Sequence, residues 1–258
     1  MSKIIVCYKW VLIEEDIKIN SDLSIDTSKA KGKISDYDRN AIEAAVQTAV
    51  DTGSEVIAMT FGDTSAEQSL KDVLSRGPNS GYLIKDEAAV NADGYMTAIV
   101  LAAGIEKINN YSLIICAEGA SDTYAHQVGP RIGAILNVPV ISNVINFKVI
   151  GDKITAQRTL EDCVETVTAI LPVVVTVLPE VCEAPIPGLK QVLAAKKKPV
   201  TKVSVAELGL DTSVIQPKSE DLGIKGYAMS RKNIIFRDGD NRVKVNQLVG
   251  TLKKEGVI

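Results

Sequence analysis

Histidine is nearly absent from this 258-residue chain, where His126 stands alone, and the four cysteines are too scattered to act together. Cys7, Cys116, Cys163 and Cys182 form no C-x-x-C pair. One histidine and that spacing argue against a metal centre and equally against a disulfide framework, which leaves reduced thiols in a cytoplasmic protein as the expectation. Long apolar runs are missing too. The opening "MSKIIVCYKWV" becomes charged at Glu14, too soon for a signal peptide or a membrane span. The formal charge of −3 provides no field to attract nucleic acid or an anionic membrane. No G-x-S-x-G, Walker lysine loop or G-x-G-x-x-G occurs, so the commonest hydrolase, P-loop and dinucleotide fingerprints are absent.

What is present is ordinary globular material, 46% hydrophobic and 24% charged, enough for one large domain or one domain with an appendage. "KIIVCYKWV" reads as a buried strand. "SDYDRNAIEAAVQTAVDTG" opens with capping residues, puts Ile42, Ala45, Val46 and Ala49 on one helical face, and closes at Gly53. "SEVIAMTFG", "GYLIKD" and "YSLIICAEG" continue the strands. Between and after them, "SAEQSLKDVLSRG" (Ser65 as N-cap), "NADGYMTAIVLAAGIEKI" and "SDTYAHQVGPRIGAIL" supply helices. This alternation predicts an α/β fold, Rossmann-like, with a parallel sheet covered by helices on both faces. Beyond Asn137, two strand-rich stretches with a turn at Gly151-Asp152 predict an antiparallel extension. "GLKQVLAAKKKPV" reads as a short helix whose lysine triplet suits its C-terminus. From about Thr201 the chain turns polar and irregular. The expected organisation is an α/β domain over residues 1–200 and a C-terminal arm over 201–258 that docks on another surface.

In an open parallel sheet, ligands sit beyond the carboxyl ends of the strands. Gly119 to Thr123 lies at such an end, and a helix beginning at Ser121 would offer free N–H groups to a phosphate. A plain capped turn is the competing reading. His126 falls early in that helix with no partner acid or base in view, so a surface or hydrogen-bonding role outweighs a catalytic one. Asp38 and Asn40, at the entry of the first helix, either mark a helix boundary or meet an adenine or ribose. Leu189 sits between prolines, glycine and lysines, either as an unremarkable loop residue or as an anchor for a partner.

Taken together and in order, "KIIVCYKWV", "ISDYDRNAIEAA", "QVGPRIGAILNVPVISNV" and "PIPGLKQVLAAKKKPV" resemble the β subunit of electron-transfer flavoproteins over essentially the whole chain. "KDVLSRGP" and "ASDTYAHQVG" bring it nearest the Fix-type, carnitine-associated branch. The resemblance implies a heterodimer with an α subunit that carries FAD and exchanges electrons with an acyl-CoA dehydrogenase or reductase. It implies FAD in this subunit for bifurcating members, with NADH as hydride donor and ferredoxin or flavodoxin as a second acceptor, or AMP in ordinary ones. Carried over by position, Cys7, Tyr8 and Lys9 would line the nucleotide pocket, with Asp38 and Asn40 near the adenine and Gly62 and Asp63 at the second strand end. Gly119, Ser121, Asp122, Thr123, Tyr124, Ala125, His126 and Gln127 would hold the phosphates. Leu189 would enter a dehydrogenase partner, and Arg158 would lie near the subunit interface. Two departures stand out. Bifurcating members commonly read D-G-D-T-A-Q-V-G-P where this chain has Tyr124 and His126, and Leu12 replaces an expected proline. A structural AMP-holding subunit and a stand-alone adenine-nucleotide regulator are the alternatives.

Overall fold

The computed structural model describes residues 2–211, 213, 215–227 and 231–258. A nine-stranded sheet organises most of them. In chain order its strands are β1 (Lys3–Cys7), β6 (Glu55–Gly62), β7 (Ser80–Lys85), β8 (Tyr111–Ala117), β9 (Val140–Ile150), β10 (Lys153–Thr159), β11 (Val164–Ile170), β12 (Val173–Val177) and β13 (Val200–Val203). The spatial order is β11-β10-β9-β12-β8-β1-β6-β7-β13. All neighbours from β9 to β13 in that order run parallel, while β10 pairs antiparallel with both β9 and β11. The antiparallel extension is therefore present, but Val173–Val177 returns to the parallel core beside β8. Two small pairs complete the strands: β2 (Trp10–Leu12) with β5 (Gly32–Ile34), and β3 (Lys18–Ile19) with β4 (Ile25–Asp26). The opening strand is thus shorter than its apolar run, because Trp10–Leu12 leaves the main sheet to pair with β5.

Helices α1 (Asp36–Thr52), α2 (Ser69–Ser75), α3 (Gly94–Glu106), α4 (Val128–Leu136) and α5 (Leu189–Ala195) pack on the sheet; α6 (Asn241–Lys254) lies near the C-terminus. Strand β1 explains the two-sided packing. Its Ile4 and Val6 join Ala41, Ile42 and Ala45 of α1 in one core, and its Ile5 and Cys7 join Val100 and Leu101 of α3 and Ile132 of α4 in the other. Strands buried on both faces lose their alternation and read as continuous apolar runs, which is how they appear in the sequence.

Three expectations change here. Asp63, not Ser65, caps the turn before α2, its carboxylate accepting from the Ser65 N–H at 2.8 Å. Val200–Val203 is a sheet strand paired with β7, and Val205 and Leu208 after it are buried. The described residues fall into two compact units, one comprising residues 2–18 with Asp26–Ile224 and the other Ile19–Ile25 with Lys225–Ile258, so the stretch 201–224 groups with the sheet. The lysine triplet also serves a different helix from its own. Lys198 Nζ donates to the carbonyls of Leu74 (2.9 Å), Gly77 (3.0 Å) and Pro78 (2.6 Å), satisfying the end of α2. Burial there lowers the lysine's pKa. Replacing Lys198 with Met should cost about 2 kcal/mol by removing a charged donor from three acceptors, measured by urea denaturation.

Candidate functional site at the strand switch point

The strand order reverses between β1 and β8. From β1 the chain moves through β6 to β7, then returns to the other side of β1 as β8. Loops leaving adjacent strands in opposite directions open a crevice beyond the carboxyl ends. The loop after β1 carries Tyr8 and Lys9, and the loop after β8 runs from Glu118 to Gln127.

The first turn of α1 holds both loops. Ser35, its N-cap residue, makes no side-chain cap; its Oγ accepts instead from the Ser121 N–H at 3.1 Å. Asp38 lies at the N3 position, only 5% exposed, and its Oδ2 accepts from the Lys9 N–H at 2.7 Å. Lys9 Nζ then reaches Asp122 Oδ2 at 2.6 Å across the crevice. That pair is partly exposed and so contributes little to stability. Burial pushes the Asp38 carboxyl up to about 7, against the lowering effects of the Lys9 N–H and ammonium; Asp122 adds to the rise.

The loop after β8 differs from the expected helix start. No helix begins until Val128; Ser121 to Thr123 form a turn, and Tyr124 (φ 47°) and His126 (φ 54°) are left-handed. Pro130 supplies the reason. In a helix beginning at Ser121 it would fall in the interior, where proline removes a hydrogen bond and clashes with the carbonyl four residues back. In α4 it occupies the first turn, which tolerates it. The expected phosphate donors are consequently engaged: Ser121 N–H by Ser35, Thr123 N–H by Asp122 Oδ1, and Tyr124 N–H by the Ala120 carbonyl. The free donors lie further on. Among the described residues, the N–H groups of His126, Gln127, Val128 and Gly129 have no acceptor. His126 in the left-handed region followed by Gln127 in the right-handed one (φ −105°, ψ −37°) is the alternation that gathers successive N–H groups into an anion-binding concavity. The start of α4 can lie low on the sheet because Gly129 has no side chain; a Cβ there would come within 2.5 Å of Thr176.

Several expected residues have side chains engaged elsewhere or turned to solvent. Tyr8 is buried, its hydroxyl 2.8 Å from Ser69 Oγ, and desolvation raises its pKa. Cys7 is buried within the core. Asn40 spends its amide on the carbonyls of Pro179 (3.2 Å) and Cys182 (2.6 Å), bracing the segment before α5. Gly62 ends β6, and Asp63 caps the following turn. Gln127, exposed, accepts from Arg131 at 3.2 Å, and Ala125 is exposed. Arg158 lies away from the crevice, paired with Glu165 of β11 at 2.8 Å. Leu189 opens α5, 76% exposed, next to a loop whose Ile186 is 94% exposed.

Sequence reasoning missed Ser35, Tyr37 and Glu118. Glu118 is buried and accepts from the Tyr124 hydroxyl at 2.5 Å; the Tyr37 and Tyr124 rings lie 5.2 Å apart. The available signal for Glu118 was a carboxylate closing an apolar strand.

The electron transfer flavoprotein domain model matches residues 22–208, more than half of the chain. The chain belongs to this family. The matched span includes α1, the loop after β8 and α5, and thus most of the crevice and the Leu189 loop. Among the described residues no helix is long and apolar enough to cross a membrane.

Asp38 gives a pH test of this geometry. Its folded carboxyl keeps a proton to about pH 7, whereas an unfolded aspartate releases it near 4. The folded state therefore binds more protons in that window, and stability falls as pH rises through it. Asp38→Asn should remove this slope, raising the variant's Tm relative to wild type by about 4 °C between pH 5 and pH 8, as read by thermal melts.

Proposed function

We propose that the chain is the β subunit of a heterodimeric electron-transfer flavoprotein, holding a nucleotide in the switch-point crevice. The observation carrying this reading is the run of unpartnered N–H groups from His126 to Gly129, at the start of α4, in a member of this family. A helix start and a concave run of amides favour a phosphate, and Lys9 lies at the same crevice to meet one. Ser121 Oγ, buried and without a partner, adds a polar group that the chain leaves unsatisfied. The residues fit a nucleoside phosphate on these grounds.

FAD is the nucleotide we favour, on the resemblance to the Fix-type branch. Bound there, it would supply the hydride-accepting and one-electron chemistry needed for bifurcation from NADH toward the α-subunit FAD and toward ferredoxin or flavodoxin. The chain's residues orient and enclose. His126 to Gly129 take a phosphate, Lys9 exchanges Asp122 for the anion, and Asp38 and Ser35 hold the two loops at fixed separation. AMP is the second reading, because backbone amides accept a monophosphate as well as a diphosphate. No group in the crevice has to act as nucleophile.

Two surfaces support partner docking. Leu189 and Ile186 present apolar side chains to solvent at the loop that leads into α5, suited to a pocket on an acyl-CoA dehydrogenase or reductase. The second unit carries α6, whose Val243, Val245 and Leu248 are all exposed (43%, 56% and 45%), as expected of an arm that docks on the α subunit. A stand-alone regulator would have no use for either.

Co-expression with the α subunit, followed by release and identification of nucleotides, tests the reading. Two FAD per heterodimer is the expected result. One FAD with one AMP defeats bifurcation, and the absence of any nucleotide from this chain defeats the proposal. Leu189→Ala should slow electron exchange with the dehydrogenase about tenfold, measured as acyl-CoA-dependent reduction of the flavoprotein by the dehydrogenase, with nucleotide content unchanged.

A further inference from the structure

Tyrosine seldom adopts a left-handed backbone conformation, which costs an L-residue roughly 1–2 kcal/mol, whereas histidine does so more readily. This loop contains one of each within three residues. Tyr124 is held there from three directions. Its hydroxyl donates to Oε1 of Glu118, a buried carboxylate whose own N–H is bonded to the Val177 carbonyl. Its ring packs against Tyr37 of α1 at 5.2 Å and edge-on against His126 at 4.2 Å. The same ring lies over Gly119, where a Cβ would come within 2.9 Å of Tyr124 Cδ2. The bond to Glu118 also pushes the phenol up to about 12, so it stays a protonated donor throughout the neutral range.

Release of these contacts has a definite consequence. With Tyr124 and His126 relaxed out of the left-handed region, the alternation that gathers the N–H groups from His126 to Gly129 toward one point would be lost. Pro130 keeps α4 from extending backward over them, so it is their common direction, set by the loop, that the contacts of Tyr124 protect. The held conformation keeps those N–H groups free and together. We infer that Tyr124 is a positioning residue for the phosphate end of the nucleotide, its hydroxyl on Glu118 and its ring on Tyr37 keeping the His126–Val128 amides available. The inference rests on the nucleotide reading above and adds to it the residue that makes the seat.

Phosphate-bearing and phosphate-free ligands separate this role from general stability. AMP and adenosine are titrated calorimetrically into the full-length protein stripped of nucleotide, as wild type, Tyr124→Gly and Tyr124→Phe. Glycine accepts the left-handed backbone without strain and removes both anchors; phenylalanine keeps the ring and removes the tie to Glu118. The expected result is an AMP affinity about tenfold weaker in Tyr124→Gly and about threefold weaker in Tyr124→Phe, each net hydrogen bond or ring contact being of modest strength. Adenosine affinity should stay within about twofold of wild type in both, because the amides touch only the phosphate. Equal losses for AMP and adenosine would make Tyr124 merely structural and overturn the inference, as would undiminished AMP binding in either variant. If Tyr124→Gly melts below the assay temperature, Tyr124→Phe decides by the same criteria. Wild-type protein that binds neither ligand sinks the nucleotide reading itself, and wild type that binds both equally sinks the phosphate seat.

Discussion

The hydrogen bonds by which the first turn of α1 holds two loops are the interaction on which the crevice depends. Ser35 and Asp38 occupy positions where side chains ordinarily satisfy a helix's own free N–H groups. Here their acceptors are turned outward, Asp38 to the Lys9 N–H and Ser35 to the Ser121 N–H. Asp38 does this while 5% exposed, and a buried carboxylate is tolerated only with donors beside it. Its raised pKa reflects the tension between burial and those donors. Because α1 is packed onto β1 through Ile42 and Ala45, a bond to its first turn is a bond to the rigid core. The two loops inherit that rigidity.

Charge at the crevice is arranged against a casual anion. Asp122 already occupies the Lys9 ammonium, and the buried Asp38 lies beside the same lysine. In the proposed reading a phosphate would be favoured there by backbone dipoles more than by net charge, since the amides from His126 to Gly129 add partial positive charge without titrating. An arrangement of this kind discriminates by geometry.

Outside the crevice, the molecule keeps apolar groups in solvent at several places, the Ile186–Leu189 loop and α6 among them. Ile186 and Leu189 stand on a segment that Asn40 braces through the Pro179 and Cys182 carbonyls. Asn40 follows Asp38 by two residues on α1, so the same helix turn supports the crevice and the approach to the exposed loop.

Most of the architecture was legible in the residues. The apolar runs of β1, β6 and β8 and the 3.6-residue periodicity of α1 determine by themselves a parallel sheet layered with helices, because each pattern has one way to bury itself. The Gly151-Asp152 turn likewise announced the antiparallel extension. Local periodicity could not say where α4 begins, since residues 121–127 fit a helix as well as they fit a loop; Pro130 was the one local sign against it. Nor could it say that Asn40 and Tyr8 would spend their polar groups on partners 139 and 61 residues away, or that Lys198 would cap α2 from 120 or more. Those outcomes depend on which surfaces the sheet order brings together. The sequence alone determined the elements, their layering and the family to which the chain belongs. Only the tertiary structure decided which polar groups remain free for a ligand, because a donor is free only when no distant acceptor has been folded against it.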